Sequence, residues 1–262
     1  MIKQSVHIED ICFAYDSEMV LKHLSMDIVP NSICFIMGNN GSGKTTLLKN
    51  ILGFLTPQQG AIEISGKRVT DIDKQTMSRL VSYVPQAIHL STDFSVIDYI
   101  SLGRTPHMGM LNRLTDEDYQ IIERVSSLLG VDEIYDVPFN KLSGGQKQIV
   151  AVARSLVQDT PVIIMDEPMS ALDIGKQVEM LKVLRDLAGT GKTIILTTHN
   201  PNHALVLDSN SCFLKHGEMV AFGKSSDIIR DDLLHEIYGN YVSLDYGEKG
   251  SSIVFDLDLN TK

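Results

Sequence analysis

The sequence predicts an α/β fold: a mostly parallel sheet covered on both faces, with an antiparallel β edge and an inserted helical subdomain. Three observations predict it. Ile33-Cys34-Phe35-Ile36-Met37, Val162-Ile163-Ile164-Met165 and Thr193-Ile194-Ile195-Leu196 are short continuous apolar runs, the pattern of strands buried on both faces. Stretches of helical periodicity separate them, as crossovers between parallel strands require. The chain has 262 residues, 43% hydrophobic and 21% charged, enough for one large domain with an insertion and far from a disordered composition.

Each element follows from its local pattern. At the start, Val6 and Ile8 share one face and Ile11, Phe13 and Tyr15 the other, a change of phase that predicts a bulge near Glu9-Asp10 in an edge strand. The run Ile33–Met37 stops at Gly38, and beyond a glycine-rich turn Leu47, Leu48, Ile51, Leu52 and Leu55 fall at helical spacing. Ser95 precedes Asp98, and Thr115 precedes Asp118, by three residues; both pairs predict helix starts. After the second, Ile121, Ile122, Val125, Leu128 and Leu129 repeat at helical spacing, and Gly130 is a natural stop. Residues 87–158 are therefore expected to form a helical insertion within a single domain spanning 1–262. Further on, Cys212-Phe213-Leu214, Met219-Val220-Ala221-Phe222 and Ile253-Val254-Phe255 read as strands. A helix from Ser226 to about Tyr238 lies between the last two.

Composition excludes several function classes. No uninterrupted apolar run exceeds five residues, whereas a spanning helix needs about 20, so the chain is not expected to cross a bilayer. Met1–Ser5 has no apolar stretch of signal-peptide length, so export is not expected. Three scattered cysteines, Cys12, Cys34 and Cys212, form no disulfide or metal framework and suit a reducing compartment. With 23 basic and 33 acidic residues, the net charge of -10 argues against nucleic acid as a partner.

The strongest chemical signal is Gly38-Asn39-Asn40-Gly41-Ser42-Gly43-Lys44-Thr45, a full match to GxxxxGK[ST] between a buried strand and a helix. Glycines there let backbone N–H groups curl around phosphates, and the helix N-terminus adds donors and partial positive charge. Lys44 would reach the β- and γ-phosphates, and the Thr45 hydroxyl would ligate Mg²⁺. The run Pro161–Met165 ends in Asp166 and Glu167, placing two carboxylates at the carboxyl edge of the sheet, where open α/β sheets bind ligands. Asp166 would hold Mg²⁺, and Glu167 would polarise an attacking water. In Leu142-Ser143-Gly144-Gly145-Gln146, Ser143 and Gln146 have capping-box spacing, and the paired glycines leave a helix N-terminus bare enough for an anion. A structural cap would give the same spacing. Two phosphate-grade helix starts in one chain are explained if a second copy supplies one of them.

With these residues in view, the chain resembles the nucleotide-binding subunit of an ABC (ATP-binding cassette) transporter over nearly its whole length. Gly38–Thr45 matches Walker A, with Thr46 in the nucleotide-binding set. Asp166 and Glu167 match Walker B and its catalytic glutamate, and Leu142–Gln146 matches the ABC signature without departure. The resemblance implies a P-loop NTPase core and a head-to-tail homodimer closing on two molecules of ATP, with Ser143, Gly144, Gly145 and Gln146 of each copy facing Walker A of the other. It also implies that Tyr15 stacks on adenine, Gln86 is the Q-loop glutamine touching Mg²⁺, Asp173 of Ser170-Ala171-Leu172-Asp173 belongs to the D-loop, and His199 is the switch histidine on the γ-phosphate. Thr45, Gln86 and Asp166 are thus the implied metal ligands, and Glu167, His199, Lys44 and Gln86 the implied catalytic set.

Ser101-Leu102-Gly103-Arg104-Thr105-Pro106-His107 and Leu233-Leu234-His235-Glu236-Ile237-Tyr238-Gly239 resemble stretches of importer ATPases for iron–siderophore, haem and cobalamin uptake. For Arg104–His107 two readings stay open: a solvated turn stiffened by Pro106, or a loop near the docking site of a membrane subunit. The resemblance implies integral membrane permease subunits as partners, indirectly a substrate-binding protein, and a place at the cytoplasmic face of the membrane. An exporter ATPase and a non-transport ABC ATPase are the competing readings. The long coiled-coil insertion or second cassette usual in the latter is missing from this sequence.

Overall fold

The computed structural model describes residues 5–88, 93–108, 113–247 and 250–255. The chain opens with β1 (Val6–Tyr15), β2 (Glu18–Ile28), β3 (Ile33–Met37), α1 (Lys44–Ile51), β4 (Gln59–Ile64) and β5 (Lys67–Arg68). Next come α2 (Lys74–Leu80), β6 (Val81–Val84), α3 (Val96–Ser101), α4 (Asp116–Leu129), α5 (Gly144–Val157), β7 (Val162–Met165) and α6 (Ile174–Gly189). They are followed by β8 (Thr193–Thr197), α7 (Asn202–Leu207), β9 (Asn210–Lys215), β10 (Glu218–Lys224), α8 (Ser225–Ile228), α9 (Asp231–Tyr238), β11 (Val242–Gly247) and β12 (Gly250–Phe255). Among the described residues no helix is long and apolar enough to cross a membrane.

The chain divides into two compact units, one of Met1–Asp71 with Leu184–Lys262 and one of Ile72–Val183. In the first, β10, β9, β3 and β8 lie in that order. β3 is parallel to both neighbours and β10 is antiparallel to β9. β3 is buried along its whole length, as is β8, which is why β3 and the interior of β8 read as unbroken apolar runs. A separate antiparallel sheet runs in the order β2-β1-β4-β5. The phase change in β1 is real: its pairing with β2 shifts between Ile8 and Ile11, and Asp10 has φ 45°. The expectation of an edge strand is wrong, since β1 pairs with both β2 and β4. Its alternation reflects one covered face rather than one free ladder.

In the second unit β6 and β7 pair in parallel, and the predicted insertion 87–158 lies within this unit. Residues 89–92 and 109–112 of that segment lie outside the described residues. Both predicted helix starts are complete capping boxes, Ser95 with Asp98 on α3 and Thr115 with Asp118 on α4, and Gly130 ends α4 at φ 63°. α3 and α4 both pack on α5.

Two helices differ from expectation. α1 stops at Ile51, because Gly53 turns left-handed at φ 69° and the N–H of Phe54 bonds back to Lys49 O, so Leu55 lies past the end. The helix expected from Ser226 to Tyr238 is two helices. Ile229 and Arg230 are extended, and Ile229 is fully buried. Arg230 Nη1 donates to the carbonyls of Ser226 and Ile229 at 2.8 and 3.2 Å, satisfying groups that the break releases.

Candidate functional site

In the first unit the phosphate loop leaves β3 at Gly38 (φ 142°), where an added Cβ would lie 2.1 Å from Leu214 O. Gly43 (φ 104°) caps α1 with no side-chain bond to the helix N–H groups. A Cβ there would fall 2.8 Å from Leu21 Cδ2 and 3.1 Å from Val20 O. Backbone pressing on Gly38 leaves no room for a side chain there, and at Gly43 the positive φ itself favours glycine, with the Leu21 methyl and Val20 O close by. Lys44 is buried, and its Nζ donates to Gly38 O at 2.8 Å and Asn39 O at 3.0 Å, which draws the ammonium back over the turn. Ser42 Oγ is buried, with no hydrogen-bond partner among the described residues. An orphaned hydroxyl, a buried ammonium and an uncapped helix start are the donors a polyphosphate needs, so these residues fit ATP. Asn39 Nδ2 donates to Ile237 O at 2.6 Å and ties the loop to α9. Asn40 and Gly41 are exposed, Thr45 is half-buried and Thr46 is buried.

Parallel pairing sets the next loop beside this one. Thr198 N–H, just past β8, donates to Ile36 O of β3 at 3.2 Å. His199 therefore follows its strand at the same carboxyl edge where Gly38 follows β3, and it is exposed. Tyr15 ends β1, 43% exposed, with its ring edge-to-face on Phe13 at 4.9 Å.

The second unit gathers the predicted acids. Asp166 is buried, and its N–H donates to Val84 O at 2.8 Å, linking β7 to β6. Burial, aided by the Asp166 charge, pushes the Tyr83 phenol up to about 12. Glu167 has φ 49°, a backbone region that side chains rarely occupy without a local constraint. Its carbonyl accepts from Ser170 N and Oγ at 3.2 and 3.0 Å. Its Oε2 accepts from Gln86 Nε2 at 2.9 Å. Gln86, Asp166 and Glu167 are thus one cluster.

The signature forms a second structure in this unit. Ser143 caps α5 in a full capping box with Gln146: Ser143 N–H donates to Oε1 at 3.0 Å, and Gln146 N–H to Oγ at 3.3 Å. Ser143 and Gly144 are exposed, and a Cβ on Gly145 would meet Ala171 O at 3.0 Å. Asp173 caps α6, its Oδ1 accepting from Lys176 N at 2.9 Å, a structural role the sequence did not indicate.

Two arrangements were not foreseen. Arg104 is 6% exposed; its Nε donates to Asp118 Oδ1 at 2.7 Å and its Nη1 to Val157 O at 2.8 Å. The solvated-turn reading of Arg104–His107 is thus wrong at Arg104. Burial would raise the Asp118 carboxyl, but the Thr115 N–H and the Arg104 guanidinium outweigh it and hold it below the usual carboxylate value. The other is His203 on α7, buried and hydrogen-bonded to Thr198 and Asn200 on either side of His199. Its only signal in the sequence is a second histidine four residues after the first.

Known proteins resemble this chain over most of its length. Residues 21–170 match the ABC transporter family. The iron(3+)-hydroxamate import ATP-binding protein of Bacillus subtilis is 29% identical over 262 residues, covering 98% of this chain and 97% of the relative. The petrobactin import ATP-binding protein of the same organism is 32% identical, covering 89% and 92%. Among solved structures, a transporter described as of metal-chelate type, in an inward-facing conformation, superposes with a TM-score of 0.82 at 27% identity, covering 97% of this chain and 96% of that one. A dimeric bacterial ABC transporter cassette gives 0.76 at 25% identity, covering 84% and 98%. The chain belongs to the ABC transporter family, as an ATP-binding cassette with the P-loop NTPase fold.

Proposed function

We propose that this chain is the ATP-hydrolysing subunit of a membrane importer, with ferric siderophores as the cargo. The observation that carries the cargo is the likeness, along nearly the whole chain, to the iron(3+)-hydroxamate import ATP-binding protein.

Gly38–Thr46 wrap the triphosphate with backbone N–H groups, and Tyr15 stacks on the adenine. Lys44 turns its ammonium from Gly38 O and Asn39 O toward the β- and γ-phosphates, and Ser42 Oγ gains a phosphate oxygen as partner. Glu167 takes a proton from the attacking water as the water oxygen bonds to the γ-phosphorus and the bond to the leaving β-phosphate oxygen breaks. Gln86 holds the Glu167 carboxylate by donating to Oε2. His199 contacts the γ-phosphate. Thr45, Gln86 and Asp166 are the proposed ligands of Mg²⁺, which when bound neutralises charge on the phosphates. Ser143, Gly144, Gly145 and Gln146 of a second copy present the exposed start of α5 to the γ-phosphate, with Asp173 at the contact between copies. ATP then favours the closed pair and hydrolysis reopens it. The pair works against permease subunits at the cytoplasmic face of the membrane, with a substrate-binding protein delivering cargo from the far side.

Uptake of labelled ferric siderophores, haem and cobalamin in a strain lacking this gene tests the reading. Ferric siderophore uptake should be lost, return with the wild-type gene, and stay lost with Glu167→Gln. Unimpaired siderophore uptake would overturn the cargo assignment.

A further inference from the structure

The residues before and after His199 are held by one buried imidazole. His203 Nδ1 lies 3.0 Å from Thr198 Oγ1, and His203 Nε2 lies 3.3 Å from Asn200 Nδ2. The loop is bonded further: Asn200 N–H donates to Thr198 Oγ1 at 3.1 Å, and His203 N–H donates to Asn200 O at 3.1 Å. Thr198 is itself anchored to β3 through Ile36 O.

The network also assigns the ring's proton. Asn202 N–H, which can only donate, points at Asn200 Oδ1 at 3.1 Å. The Asn200 amide is therefore oriented with Nδ2, a pure donor, toward His203 Nε2. Nε2 must carry a lone pair, so the single proton sits on Nδ1 and is given to Thr198 Oγ1. A doubly protonated ring would set N–H against N–H at Asn200. Burial acts in the same direction, pushing the His203 imidazole below its usual value of 6.5.

We propose that His203 is a positioning residue for ATP hydrolysis: the neutral ring clamps Thr198 and Asn200 and so sets the backbone from which His199 reaches the γ-phosphate. This rests on the role assigned to His199 above. The phosphate loop binds nucleotide through other residues, so losing the clamp should slow turnover and spare ATP affinity.

The test is steady-state ATPase kinetics on the full chain for His203→Leu, His203→Gln, His199→Ala and the pair His199→Ala/His203→Leu, each with a melting curve. Leucine fills the space without hydrogen bonds, and glutamine restores an acceptor for Asn200. His203→Leu should lower kcat by about tenfold to a hundredfold, the scale of a catalytic group displaced by about 1 Å. Its KM for ATP should stay within about twofold of wild type. His203→Gln should recover part of kcat, and the pair should be no slower than His199→Ala alone. Should both His203 variants fail to fold, Thr198→Val removes the opposite end of the clamp and should show the same split. A wild-type kcat in His203→Leu beside a slow His199→Ala would overturn the clamp alone, as would multiplicative slowing in the pair. A wild-type rate in His199→Ala would overturn the assignment of His199 itself.

Discussion

Arg104→Ala is the substitution whose cost the structure specifies most fully. Arg104 Nε meets Asp118 Oδ1 at 2.7 Å and Nη1 meets Val157 O at 2.8 Å, and both side chains are almost wholly enclosed. Alanine leaves the carboxylate buried, with Thr115 N–H and Oγ1 still on Oδ2 but nothing charged on Oδ1, and it strips a donor from the end of α5. Removing one member of a buried pair costs about 3–5 kcal/mol. At about 2–4 °C per kcal/mol for a chain of this size, the melting temperature should fall by about 6–20 °C. The double variant Arg104→Met/Asp118→Leu should recover most of this, because an apolar pair is often as stable as a buried ionic one, less about 1 kcal/mol for the lost helix cap. Circular dichroism melts of the three proteins at neutral pH measure it. If Arg104→Ala melted within about 2 °C of wild type, the buried-pair reasoning would fail. Acid adds a check: the native Asp118 carboxyl sits below its ordinary value of 3.8, so the pair's contribution is complete above that value and fades as pH falls through the lowered one.

Other outcomes follow from single features. Lys44→Ala should weaken ATP binding by about tenfold to a hundredfold, the worth of charge-assisted hydrogen bonds to phosphate, as read by calorimetric titration. Gly38→Ala drives a Cβ to 2.1 Å from Leu214 O and should abolish measurable ATP binding. Gly41→Ala, left-handed but in open space, should cost only about 1–2 kcal/mol of stability, and denaturant unfolding separates the two. His203 is buried neutral with its native value below 6.5. It therefore stabilises fully above 6.5 and loses that contribution as pH falls toward the lowered value. Wild type should lose more stability than His203→Gln over that acidic interval.

How much was legible depended on whether the signal was contiguous. β3, β7 and β8 were readable because strands buried on both faces leave no polar residue inside the run, the threonines of β8 standing at its two ends. The phosphate loop was readable because strand, glycines, lysine and threonine stand in one stretch. β6 was not, since Val81-Ser82-Tyr83-Val84 is short and mixed and gains its strand character from pairing with β7. The break at Ile229-Arg230 carries no glycine or proline. It is made by burial of Ile229 and by Arg230 bonding back to two carbonyls, and neither is local. Asp118 was legible as a helix cap through one carboxylate oxygen. The partner of its other oxygen comes from the folded packing around Arg104, a residue type rarely found enclosed. His203 shows the same limit: its meaning lies in which residues its two nitrogens reach.

The claim that ATP joins two copies through the loop of one and the signature serine of the other has a direct test. Light scattering on Glu167→Gln, which should bind ATP without turning over, should show the mass doubling from 29.0 kDa when ATP is added. Glu167→Gln/Ser143→Arg should bind ATP and stay at one chain's mass. Equal dimerisation of both proteins, or ATP-saturated Glu167→Gln that remains a monomer, would contradict it.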